Sequence, residues 1–181
     1  MRGRGKETAR YNRNAAMHDF FVWVETSSLS TWVRESPSLL AFPGILSLHT
    51  IGMGLLAGIN GALDLRMLGI APQVPLTQMG RFLPVMWIGF WVNAVSGVLL
   101  LIGYPTKALT NPVFYAKLTL IAIAVVVLRS ITRQVLSDPS VDEQPVPGTG
   151  RLLAAASLVC WIGVIFTGRF LAYTYVKLSS R

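Results

Sequence analysis

Four long apolar blocks, separated by short polar stretches, set the pattern along this chain. They run over about 38–64, 82–104, 112–136 and 151–175. A helix needs roughly 20 apolar residues to cross the hydrocarbon layer, and each block has about that length. The expected fold is therefore all-α: an integral membrane four-helix bundle over 37–176. Ahead of it, residues 17–36, MHDFFVWVETSSLSTWVRES, mix aromatic and polar positions. That pattern predicts one or two short interfacial amphipathic helices, with Phe20, Phe21, Trp23, Trp32 and Val33 among the headgroups and Asp19, Glu25, Arg34 and Glu35 in water. Residues 1–16 read as a disordered basic tail, with Met17 as an alternative start, and 177–181 as a short tail.

Local signals punctuate the blocks. Ser36-Pro37-Ser38 reads as a helix entry, and Pro43-Gly44 as a kink in the first turns. The prolines of GIAPQVPLTQ turn the chain after the first span. Trp87, Trp91 and Tyr104 suit an aromatic belt. Asn111 and Pro112 form a capped start to the third span. The stretch SDPSVDEQPVPGTG reads as a solvated connection.

Composition agrees with this pattern and narrows it. Hydrophobic residues make up 52% and charged residues 13%, about half the charged share of a soluble domain. The lone cysteine, Cys160, excludes an intrachain disulfide and a cysteine metal cluster, and reads as a small buried hydrophobe. The net charge of +8 points to anionic lipid headgroups of the bilayer as partners. No basic patch is interleaved with stacking aromatics, so no nucleic-acid partner is expected. No nucleophile motif, phosphate loop or zinc spacing supports soluble-enzyme chemistry.

Four spans put both termini and the loop after span two on one membrane face, here face A. The loops after spans one and three lie on face B. Arg66, Arg81, Arg129, Arg133 and Arg151 fall on face B; Arg34, Lys107, Lys177 and Arg181 fall on face A. The basic tail would tip that balance, so orientation stays open.

The informative residues are polar ones inside the spans. At about 100° per residue, His49, Met53, Asn60 and Asp64 fall near 0°, 40°, 20° and 60°, one narrow stripe. It should face the bundle interior, with Asn93 and Ser96 of span two opposite. Asp64 is expected to pair with Arg129 or Arg133, themselves face B anchors. Gly54, Gly58 and Ala62 form a small-residue ridge on the other side that permits close helix approach. Only eleven uncharged residues separate Lys117 from Arg129, and seventeen separate Arg151 from Arg169. Lys117 and Arg169 should thus lie in the face A half with His49, unless they snorkel to the headgroups. An inward imidazole suits axial ligation of haem b, and the two cations suit its propionates. His18, the only other histidine, is expected at the interface, so a second ligand would be Lys117, water or a second subunit.

Several spaced motifs, RESPSLL, LHTIGMGLLAG, LDLRMLG, NPVFYAKLTL and GVIFTGRFLAY, resemble an uncharacterised family of small bacterial four-span membrane proteins over about 20–175. That resemblance implies a bacterial inner-membrane, multi-pass location and no known activity. More faintly, the layout looks like the CopD-type copper-resistance domain and the HemJ-type protoporphyrinogen oxidase. Both set an early span histidine against a lysine in a Phe/Tyr-x-x-Lys-Leu setting, here His49 and Phe114-Tyr115-Ala116-Lys117-Leu118. The HemJ-type resemblance implies haem b on the histidine. This chain lacks a second span histidine and the Met- or His-rich segments of copper-handling proteins.

Three functions stay open. One is a haem-b-binding or redox-linked protein using His49, Lys117 and Arg169. Another is a structural or accessory subunit of a larger membrane complex. The third is a small-solute or metal permease lined by His49, Met53, Asn60 and Asp64, which would require a homodimer.

Overall fold

A computed structural model describes residues 19–138 and 140–179. The expected tail 1–16, Met17, His18 and Arg181, and the side chains of Tyr175 and Lys177, lie outside what is described. The described residues form helices and turns, with no strand among them. Short helices α1 (19–25) and α2 (Ser28–Glu35) precede α3 (Phe42–Met67). A helical turn, α4 (Leu76–Gly80), leads into α5 (Leu83–Gly103), and α6 (Pro105–Leu109) into α7 (Pro112–Ile131). A π-helical turn over Thr132–Leu136 extends α7, and α8 (Gly148–Ser179) closes the chain. Four helices are long and apolar enough to cross a membrane, and the chain is an all-α, multi-pass bundle.

The first membrane helix starts at Phe42, four residues after the Ser-Pro-Ser signal. Pro43 stands in its first turn, where its missing N–H has no intrahelical acceptor to lose, so it opens the helix rather than kinking it. The preceding serines hold a tight turn instead: Ser36 Oγ accepts from Ser38 N–H and Ser38 Oγ from Leu40 N–H. The helix ends where Gly69 takes φ +101° and Ile70 N–H reaches back to the Leu65 carbonyl. Asn111 caps α7 by accepting from Val113 N–H at 3.0 Å.

Helices α3 and α5 pack together, α8 packs on α3, and α7 on α8. Their shared core holds Leu56, Leu63, Met86, Leu128, Trp161 and Val164. Cys160 lies in it as a buried free thiol. Helix α2 folds back on the face A end of α5, and Glu25 at the end of α1 reaches Thr106 of α6. Trp23, Phe20 and Trp32 stay exposed there, but Val33 is fully covered against Gly103 instead of meeting headgroups. Arg34 pairs with Glu25 at 3.3 Å, and Glu25 also accepts from Thr106 Oγ1. These two charges are thus partly enclosed by protein, not free in water.

On face B the loop after α7 is more than a solvated connection. Asp142 accepts from the Leu76 and Thr77 amides and from Thr77 Oγ1, capping α4. The Thr77 hydroxyl is the main reason its carboxyl titrates below the usual carboxylate range, and Arg66 helps least. A depressed folded pKa contributes stability above the unfolded value, near pH 4, that is lost as pH falls through the folded value. Asp142→Asn is therefore expected to speed hydrogen exchange at Leu76 and Thr77 at pH 7. In the native protein the same acceleration should appear only on acidification.

Candidate functional site in the membrane interior

The polar stripe of α3 turns inward. Asn60 and Asp64 are buried, and His49 and Met53 half-buried. Two separate polar centres result, one in each half of the bundle.

The first is built on His49. Its Nδ1 lies 3.0 Å from the Asn93 carbonyl and 3.1 Å from Ser96 Oγ. A carbonyl only accepts, so Nδ1 carries the proton. Ser96 Oγ donates its own hydrogen to the Val92 carbonyl at 2.6 Å, which leaves a lone pair facing the imidazole. Asn93 Nδ2 donates back to the His49 carbonyl at 2.7 Å. The ring lies over Gly97, where a Cβ would come within 3.1 Å of Cε1. Lys117 of α7 is within electrostatic reach of the ring, and its Nζ rests near Gly168 of α8. The structure thus gathers His49, Asn93 and Ser96, with Lys117 within electrostatic reach. It does not gather Arg169, which is exposed on α8.

The second centre lies fifteen residues further along α3, about 22 Å at 1.5 Å per residue. Asp64 is 1% exposed, and its carboxylate makes no close hydrogen bond, with the Ser157 hydroxyl of α8 within looser reach. The expected pairing with Arg129 or Arg133 is not formed. Arg129 sits over the Trp87 ring, 5.9 Å from its centroid, and Arg133 is exposed. Both cations point outward from α7, while Asp64 faces α8. The Gly54, Gly58 and Ala62 ridge also fails to pack: a Cβ at Gly54 or Gly58 would meet nothing within 4 Å, and Ala62 is exposed. The close helix approach occurs at Gly52 and Gly89 instead.

A model of a family of unknown function matches residues 20–174, most of the chain. The chain belongs to the DUF6644 family. No curated protein and no solved structure matches it, and nothing links this DUF6644 chain to the CopD-type or HemJ-type families. Its chemistry has to be argued from its own residues. The pattern pointed to His49 and to its neighbours Asn93 and Ser96. It did not single out Ser157 and Trp161 of α8, whose polar atoms are buried, the Ser157 hydroxyl against Asp64 and the Trp161 N–H without a partner. Their i, i+4 spacing within an apolar block was the available signal.

Proposed function

We propose that this is a bacterial inner-membrane protein that holds haem b through His49. One observation carries the reading: Nδ1 is tied to the Asn93 carbonyl, so Nε2 keeps its lone pair. A ligating imidazole needs that tautomer and that outer hydrogen bond. The residues fit a single axial ligand. Among the described residues Nε2 has no hydrogen-bond partner, and Lys117 brings one cation suited to a propionate. Arg169 has no part in this arrangement, because it is exposed. Bound haem would supply one-electron redox chemistry. The chain's own share is to fix the ring, keep Nδ1 protonated and bring a cation within electrostatic reach of it. Its basic residues meet anionic headgroups.

The test is an absorption spectrum of detergent-purified protein from haem-replete cells, oxidised and reduced. A Soret band is expected in the native protein and its loss in His49→Ala. A flat native spectrum rejects the reading.

A second reading has its own observation. The donation from Asn93 Nδ2 to the His49 carbonyl makes the pair a reciprocal stitch between α3 and α5. On that reading the protein is an accessory subunit and the stitch is structural. His49→Ala would then lower the melting temperature without any spectral change.

A further inference from the structure

The Asp64 centre takes no part in the haem reading. It lies in the opposite half of the bundle and has its own chemistry. Asn60 stands four residues before Asp64, one turn away on the same face of α3. Its Nδ2 is already used, donating to the Leu56 carbonyl and to Met86 Sδ, so its Oδ1 is left over. The Ser157 hydroxyl of α8 stands within loose hydrogen-bonding reach of the Asp64 carboxylate and makes no close hydrogen bond. Trp161 follows one turn along α8, and its Nε1 is unpartnered. Asp64 and Asn60 are each 1% exposed, and Ser157 is fully covered.

Asp64 and Ser157 therefore face each other in a buried place without a close hydrogen bond, and Asn60 Oδ1, one turn away on α3, is buried without one too. Leaving them so would be costly, because a buried polar atom without a partner forfeits its hydration for nothing. An ionised carboxylate there costs most. Among the described residues no charge offsets it. On α3 itself, Arg66 Nε donates to the Val74 carbonyl. On α7, Arg129 lies over Trp87 and Arg133 is exposed; on α8, Arg151 is exposed. The described part of α5, packed on the other side, carries no charged residue.

We propose that Asp64, Asn60 and Ser157 form a binding site for one monovalent cation, taken up as a proton or a sodium ion. The donor set is all oxygen, which suits hard cations. The single carboxylate is neutralised by one positive charge, whereas a divalent ion would leave a net buried charge. Trp161 cannot ligate a cation; its unpartnered N–H is free to donate to a ligand oxygen when the site fills. The site is shut from water by the cluster that joins Met67 to Leu76 and Val141 of the face B loops.

The experiment is labelling of the purified full chain in detergent with dicyclohexylcarbodiimide, which reacts with protonated carboxyls in apolar surroundings. Adducts are mapped by mass spectrometry at several pH values, in sodium chloride and in choline chloride. Melting temperature is recorded alongside, for the native chain and for Asp64→Asn. One adduct on Asp64 is expected in choline, increasing at lower pH. A several-fold drop in sodium, together with a higher melting temperature, assigns a sodium ion. Labelling indifferent to sodium, with melting raised by acid only, assigns the proton. Both patterns should vanish in Asp64→Asn, which preserves the side chain's shape. The proposal is overturned if Asp64 stays unlabelled in choline at every pH, or if native and variant chains respond alike to sodium and acid.

Discussion

Gly52→Val is expected to cost about 3 kcal/mol or more, the upper range for forcing atoms into a packed interface. A Cβ at Gly52 would lie 2.7 Å from the Asn93 amide nitrogen and 2.8 Å from the Gly89 carbonyl oxygen. Both are backbone atoms of α5, so no side chain can swing aside. The helices would have to separate at that crossing. Separation would also stretch the His49 and Asn93 hydrogen bonds one turn away, because both depend on the same backbone spacing. Between membrane helices, close packing and hydrogen bonds do the work that water exclusion does elsewhere. Gly89→Val should act alike, since a Cβ there would fall 2.7 Å from Leu55 Cβ. Gly58→Ala is the control. It meets nothing, and alanine favours helix by up to about 1 kcal/mol over glycine. Melting of the three variants in detergent, followed by circular dichroism, checks the ordering. Equal losses at Gly52 and Gly58 would show that the ridge packs after all.

That contrast marks how far the pattern could be read. Positions on one helix follow from 100° steps, so the inward turn of Asn60 and Asp64 was legible, as were Asn93 and Ser96 across from His49. The same arithmetic puts Gly54, Gly58 and Ala62 about 180° from His49. A face opposite the buried stripe has to point outward, and the small residues there contact nothing. Gly52 lies about 60° from His49, on the buried side, but as an isolated glycine it made no visible motif. The start of α7 was legible because Asn111 and Pro112 act locally. Contacts between elements were not. Asp142 reaches α4 across 66 residues of sequence. Val33 meets Gly103 only because α2 folds back onto α5. The partner of Asp64 depends on which side of α7 carries Arg129 and Arg133. Charge alone suggested a salt bridge; the rotation of α7 carries those cations away.

Trp161→Ala is expected to cost about 3 kcal/mol, at the low end for truncating a buried aromatic residue. Trp161 is the largest of the fully covered side chains and sits in the core that α8 shares with α3 and α7. Little of that cost is transfer from water, since the unfolded helices would remain in an apolar medium. It is the loss of dispersion contacts around a cavity that rigid helices cannot close. Trp161→Phe separates volume from polarity. Phenylalanine keeps most of the ring and removes an N–H that has no partner among the described residues. If volume alone matters, the phenylalanine variant should lose about 1 kcal/mol or less in every buffer. If the indole N–H steadies an oxygen of the Asp64 site, the loss should grow when that site is filled. Sodium or acid would then stabilise the native chain more than the phenylalanine variant. Melting of both variants in choline, in sodium and at low pH reads the two contributions separately. The site inferred from Asp64 would thus be tested through a residue that cannot itself bind the cation.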